Sequence, residues 1–213
     1  MPNANLTELV IVMDRSGSME TIKHAMTEGF TRFMNDQRKI PDPCNVTFYR
    51  FDTLVEKVFE ECPLNNVGGM VLEPRGGTAL RDALGTAINQ VGARLAAKPE
   101  EQRPGKIVVV VITDGQENAS KEFSQEQLAA MVKKQTEVYN WQFAFLGANI
   151  DAFAVGTAIG IVADGIQNFV ADAAGAQIMY SATSAAVSNY RSSTSSSAKL
   201  NFTPDPSLPN KTP

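Results

Sequence analysis

The stretch "KIVVVVITD", residues 106–114, constrains this chain more than any other. Ile107 to Ile112 are all β-branched aliphatics, which are stiff at χ1 in a helix and pack well on a pleated surface. No polar residue alternates with them, so the strand they form must be covered on both faces, as in the centre of a parallel sheet. The run ends on Asp114. A second run, "TELVIVMD" at 7–14, has the same character and ends on Asp14.

Between and after these strands the period changes. Ile22, Met26, Phe30, Phe33 and Met34 recur at three and four residues within 18–38, which predicts a helix that "PDP" at 41–43 stops. "NVTFYRFD" at 45–52 and "TLVEKVFEE" directly after it read as a hairpin, which makes one edge strand antiparallel. A Gly-rich connection leads to a second helix marked by Leu80, Leu84, Ile88, Val91 and Leu95. Ser124 with Gln127 forms a capping-box pattern opening a helix over 124–139. "WQFAFLGAN" is a further buried strand, "DAFAVGTAIGI" a short helix, "GIQNFVA" a last strand and 173–190 a last helix. Strands alternating with helices predict an α/β fold of three layers, Rossmann-like, with a mostly parallel central sheet and helices on both faces. We place the domain at 1–190. Residues 191–213 are rich in Ser, Thr and Pro and read as a flexible tail, or as an extended arm that docks on a partner or a neighbouring subunit through Leu200, Phe202 and Leu208.

The 213 residues carry a formal net charge of -4, 43% hydrophobic and 20% charged residues, and no basic cluster. That balance argues against a nucleic-acid or anionic-membrane binder. No run approaches the roughly 18 apolar residues of a membrane span, and the first residues lack the pattern of a secretory leader. Cys44 and Cys62 form no CxxC pair and read as reduced thiols, which points to the cytoplasm.

In a doubly wound sheet, ligands bind beyond the carboxyl ends of the parallel strands. Asp14 and Asp114 stand at two such ends. "DRSGSM" follows the first strand with Ser16 and Ser18 at alternate positions, and "RGGT" turns sharply to deliver Thr78 to the start of a helix. Asp14, Ser16, Ser18, Thr78 and Asp114 can therefore meet. Two carboxylates and three hydroxyls make an all-oxygen set, which selects Mg²⁺, Mn²⁺ or Ca²⁺ over softer metals. Such a site leaves coordination positions free for one more anionic oxygen, such as a partner's Asp or Glu. Asp and Ser are also favoured helix N-caps, so capping competes as an account of "DRSGS".

"DRSGSM" together with "GGT" and "TDG", in that order, resembles the von Willebrand factor A (vWA) domain family of the metal-ion-dependent adhesion site (MIDAS) type, over about residues 6–190. It is similar to small stand-alone members from bacteria and phages. The resemblance implies five metal ligands, Asp14, Ser16, Ser18, Thr78 and Asp114, and a bound Mg²⁺, with Mn²⁺ or Ca²⁺ as alternatives. It implies capture of an acidic residue of a protein partner, and a possible switch by the last helix. It also suggests work beside an AAA+ ATPase; self-assembly, with one copy engaging the next, is the second reading. No catalysis is expected: His24 is the only histidine, "RSGSM" is not a GxSxG elbow, and a phosphatase of the haloacid dehalogenase type needs an aspartate where Ser16 stands. No GxGxxG follows a strand, so no dinucleotide is expected. Gln116, Glu117 and Asn118 line the rim or cap the loop, and Arg75 and Arg81, flanking Thr78, either draw an acidic partner or are simply solvated.

Overall fold

A computed structural model of the chain describes residues 1–195 and 197–202. In chain order it runs β1 (Asn3–Asp14), α1 (Lys23–Arg38), β2 (Cys44–Phe51), β3 (Val55–Pro63), α2 (Leu80–Ala97), β4 (Pro104–Thr113), α3 (Gln125–Tyr139), β5 (Gln142–Ala148), α4 (Ala152–Ala158), β6 (Ile166–Phe169) and α5 (Ala173–Ser192). The six strands form one sheet in the order β3-β2-β1-β4-β5-β6. Only the β2–β3 pairing is antiparallel; every other pairing is parallel. The strands that read as continuous apolar runs, β1, β4 and β5, are all interior, with β2 the fourth interior strand.

Their two faces build two separate cores, which is why no polar residue alternates in them. Leu9, Ile11 and Met13 of β1, with Val108, Val110 and Ile112 of β4, pack beneath Met26, Phe30 and Phe33 of α1 and Met179, Tyr180 and Val187 of α5. Val10 and Val12, with Val109 and Val111, pack beneath Leu84, Ile88 and Val91 of α2 and Leu128 and Val132 of α3. The helix expected over 18–38 is divided. Gly17–Thr21 is a 3₁₀ turn, and the α-helix begins only at Lys23.

Helix α5 runs to Ser192, and the chain beyond it lies against the domain rather than leaving at residue 191. Arg191 is fully buried and donates to the Gln37 and Asp42 carbonyls at 2.9 Å each. Leu200, 3% exposed, joins the α1/α5 core and its N–H donates to Gln142 Oε1 at 3.1 Å. The Phe202 N–H donates to the Asp164 carbonyl at 3.0 Å. Leu200 and Phe202, two of the three anchors read from the sequence, thus pack on their own domain; Leu208 lies outside the described residues. No helix among the described residues is long and apolar enough to cross a membrane.

Candidate metal centre

Parallel pairing of β1 with β4 brings Asp14 and Asp114 to the same edge, because Met13 pairs with Ile112. Beyond Asp14 the chain turns back on itself: the Ser16 N–H donates to Asp14 Oδ1 at 2.6 Å. The Arg15 N–H continues the ladder to the Phe51 carbonyl at 2.7 Å, and the Gly17 N–H reaches the Gly76 carbonyl at 3.2 Å. Gly76 has φ +66°, a left-handed conformation that glycine adopts without strain. Thr78 is held from both sides. Its N–H donates to Asn118 Oδ1 at 2.8 Å, and its carbonyl accepts from the Asn118 and Ala119 N–H groups at 3.0 and 3.2 Å.

These loops bring all five residues read from the sequence into one cluster. Ser16 Oγ lies 3.1 Å from Ser18 Oγ, and the Ser18 hydroxyl donates to Asp114 Oδ1 at 2.6 Å. The Thr113 hydroxyl donates to Asp14 Oδ2 at 2.6 Å. Gly115 shows how closely the hydroxyls gather. A Cβ built on it would sit 2.8 Å from Thr78 Oγ1, 3.3 Å from Ser18 Oγ and 3.5 Å from Ser16 Oγ. Of the residues that could cap in "DRSGS", Asp14 accepts the Ser16 N–H, but the Ser16 hydroxyl does not cap. Ser16 occupies the N-cap position of the 3₁₀ turn, yet its side chain makes no capping hydrogen bond.

The electrostatics are unbalanced. Burial pushes the Asp14 carboxyl up to about 6, against hydrogen bonds from Thr113 and Ser16 and with help from the Asp114 charge. Asp114 is also raised by burial, with the Ser18 hydroxyl pulling the other way. Asp114 Oδ2 is buried and has no hydrogen-bond partner among the described residues. Other buried carboxylates of this chain are satisfied. Asp52 meets Arg15 Nε at 2.9 Å and Arg75 Nε at 2.7 Å. Glu8 meets Arg94 Nη2 at 2.5 Å. Asp82 accepts the N–H groups of Lys121, Glu122 and Phe123. A divalent cation fits what is missing at Asp14 and Asp114: positive charge, and a partner for an orphaned oxygen. Among the described residues no three or more His, Cys, Asp or Glu side chains gather as a metal site; at this cluster three of the five side chains offer hydroxyls instead.

A family model described as the von Willebrand factor type A domain matches residues 8–200. The chain belongs to that family. Among solved structures, this A domain is similar to proximal thread matrix protein 1 from the mussel byssus with a zinc-occupied MIDAS motif. The two share 16% identity at a TM-score of 0.60, over 87% of this chain and 46% of that one. It is similar to manganese-loaded TRAP protein from Plasmodium vivax at 14% identity and a TM-score of 0.56, over 83% and 72% of the two chains. It is also similar to the ArnB paralog VWA2 from Sulfolobus acidocaldarius at 13% identity and a TM-score of 0.56, over 86% and 45%. At these identities the likeness is one of fold. The chain spans less than two thirds of the mussel and archaeal proteins. No curated protein sequence matches it.

One residue that shapes the A-domain cluster, Asp52, is not singled out in the sequence. Asp52 is 2% exposed and knits the site loops together: its carboxylate holds Arg15 and Arg75, while its carbonyl accepts the Ala79 N–H at 2.9 Å. Burial raises its pKa, but Arg75, the Leu54 N–H and Arg15 outweigh this and leave it lowered. The signal was available, since Asp52 ends a strand just as Asp14 and Asp114 do. Glu117 is a loop cap, not a rim ligand: it accepts from the N–H groups of Arg81, Ala119 and Ser120 and from the Ser120 hydroxyl. Burial pushes its carboxyl up, and those hydrogen bonds bring it below its ordinary value. Asn118 likewise braces Thr78, whereas Gln116 is exposed. Arg81 donates to the Phe123 carbonyl at 3.0 Å and so braces the loop rather than standing free.

Proposed function

We infer that this A domain is a divalent-cation-dependent protein-interaction module. The observation that carries the reading is the buried pair Asp14 and Asp114, which no lysine, arginine or histidine among the described residues compensates and whose Asp114 Oδ2 has no partner. Asp14, Ser16, Ser18, Thr78 and Asp114 would hold the ion, with Mg²⁺ as the occupant suited to an all-oxygen set and Mn²⁺ or Ca²⁺ as alternatives. The bound ion would supply a point of attachment for a carboxylate oxygen of a partner's Asp or Glu.

The chain's own residues do the rest. Asp14 is oriented by the Ser16 N–H and the Thr113 hydroxyl, and Ser18 is oriented by Asp114. Asp52, Arg15 and Arg75 hold the loops in register without adding free charge to the centre. No imidazole stands in the cluster, and the position two residues after Asp14 is a serine, so we read a binder rather than a hydrolase or phosphotransferase. A cytoplasmic protein partner, such as an AAA+ ATPase, suits the reading, and another copy of the chain is the competing partner. The test is retention of proteins from a lysate on immobilised wild type in Mg²⁺, in EDTA, and on the Asp14→Ala/Asp114→Ala variant. The reading expects partners kept only by wild type in Mg²⁺; the same proteins kept in all three conditions would overturn it.

A further inference from the structure

We propose that the amino end of the sheet, opposite the metal centre, carries a binding groove for a small organic anion with an apolar body. The groove lies between the C-terminal halves of α2 and α3, is open to solvent on one side and has a volume of about 470 Å³, within the range of small-molecule sites. Its floor is Ile88 and Leu95 of α2, Ile107 of β4 and Trp141 before β5, all buried, and Ala93 and Tyr139 are its more exposed lining.

Gly92 keeps the groove open. Glycine inside a helix is unfavourable, and it is tolerated where another backbone or ring must come close. Gly92 has no such reason: a Cβ on it would meet only Gln135 Nε2, at 3.8 Å. What its missing side chain leaves is space between the helices.

The charge at the mouth selects the ligand. Arg103 and Lys134 are the charged residues of the lining, and no carboxylate accompanies them. Arg103 is largely spent, donating to the Lys98 and Ala96 carbonyls at 2.9 and 3.0 Å. That answers the negative end of α2. Lys134 is exposed and pairs with no carboxylate among the described residues. One free cation above an apolar groove matches a single carboxylate on an alkyl or aryl body.

Trp141 is the only tryptophan and lines the groove from the core side, stacked on Phe143, so its fluorescence reports on this part of the molecule. The experiment titrates decanoate and, separately, decylammonium into the full chain below their micelle concentrations, with wild type, Gly92→Leu and Lys134→Glu. The proposal expects a saturable change of Trp141 emission with decanoate and binding of decylammonium weaker by up to about fivefold, the scale of one exposed ion pair. Gly92→Leu, which improves the helix and fills the space, should abolish the response while the thermal transition stays in place. Lys134→Glu should weaken decanoate about fivefold. No saturable response to decanoate, an equal or stronger response to decylammonium, or a response that survives Gly92→Leu would each overturn the proposal. A synthetic peptide of residues 203–213 that saturates the signal where decanoate does not would place the chain's own end there and overturn it too.

Discussion

The two ends of the sheet treat buried carboxylates in opposite ways. At the amino end, Glu8 is 1% exposed and meets Arg94 and the Thr47 hydroxyl, so its charge is answered within the fold. At the carboxyl end, Asp14 and Asp114 are equally hidden and share hydroxyls and one backbone N–H but no cation. At the end of the neighbouring strand, Asp52 has two arginines. The chain can therefore supply arginines to this edge, and it supplies them beside the metal centre rather than to it. A buried charge that the fold compensates holds the fold together; one that it leaves open is a place for something from outside.

That contrast can be broken by mutation. Arg94→Met at the amino end would strand Glu8 as an unpaired buried charge, and urea denaturation should show a loss of about 3–5 kcal/mol. Asp14→Asn should do the reverse in chelator at neutral pH. An asparagine can keep the Ser16 bond through its oxygen and donate to Thr113, whose hydroxyl can turn to the Gly115 carbonyl at 3.3 Å. Removing the charge should raise stability by about 1–3 kcal/mol, the worth of a carboxyl shifted from 3.8 to about 6. A large loss of stability in Asp14→Asn would mean that the fold already compensates this carboxylate.

The same shift predicts a pH dependence. The folded state holds the Asp14 proton up to about pH 6, whereas the unfolded chain releases it near 3.8. Between those values the folded state binds more protons, so stability falls as pH rises through the window. Metal-free wild type should therefore melt higher at pH 5 than at pH 7, and the difference should shrink in Asp14→Asn. Saturating Mg²⁺ should invert the trend, because protons and metal compete for the same oxygens.

Smaller effects sharpen the geometry. Gly115→Ala would place a methyl 2.8 Å from Thr78 Oγ1 and should weaken metal binding at least about tenfold while costing about 1–2 kcal/mol of stability. Arg75→Ala should do least. Its side chain is 60% exposed and Arg15 remains on Asp52, so metal affinity should hold and the melting temperature should hardly move.

Much of this was legible in the sequence for a physical reason: a parallel sheet needs apolar runs, and its ligands gather at the runs' carboxyl ends. Ile107 to Ile112 and Leu9 to Met13 marked the central strands, and the aspartates after them, with "SGS" and "GGT", marked what would converge. The pairing of Asp52 with Arg15 and Arg75 was not legible, because nothing local tells a chain which of its arginines will meet a residue 23 positions away. The division of the first helix escaped for a similar reason. Local rules favour Ser16 as a cap, but its hydroxyl faces Ser18 and Thr78 only once the loops after β4 and before α2 are in place. Leu200 and Phe202 stood out as anchors, but their docking place on the chain's own domain was not legible, because Gln142 and Asp164, which receive their backbone, lie far away in sequence.

The most direct test of the account is a calorimetric titration of Mg²⁺, Mn²⁺ and Ca²⁺ into chelator-stripped protein, with and without acetate, beside Asp14→Ala. The account expects saturable binding to wild type, tightened by acetate as the missing carboxylate, and none to a folded Asp14→Ala. Absence of binding to wild type under both conditions, or equal binding to the variant, would contradict it and leave the open charge at the carboxyl end without a purpose.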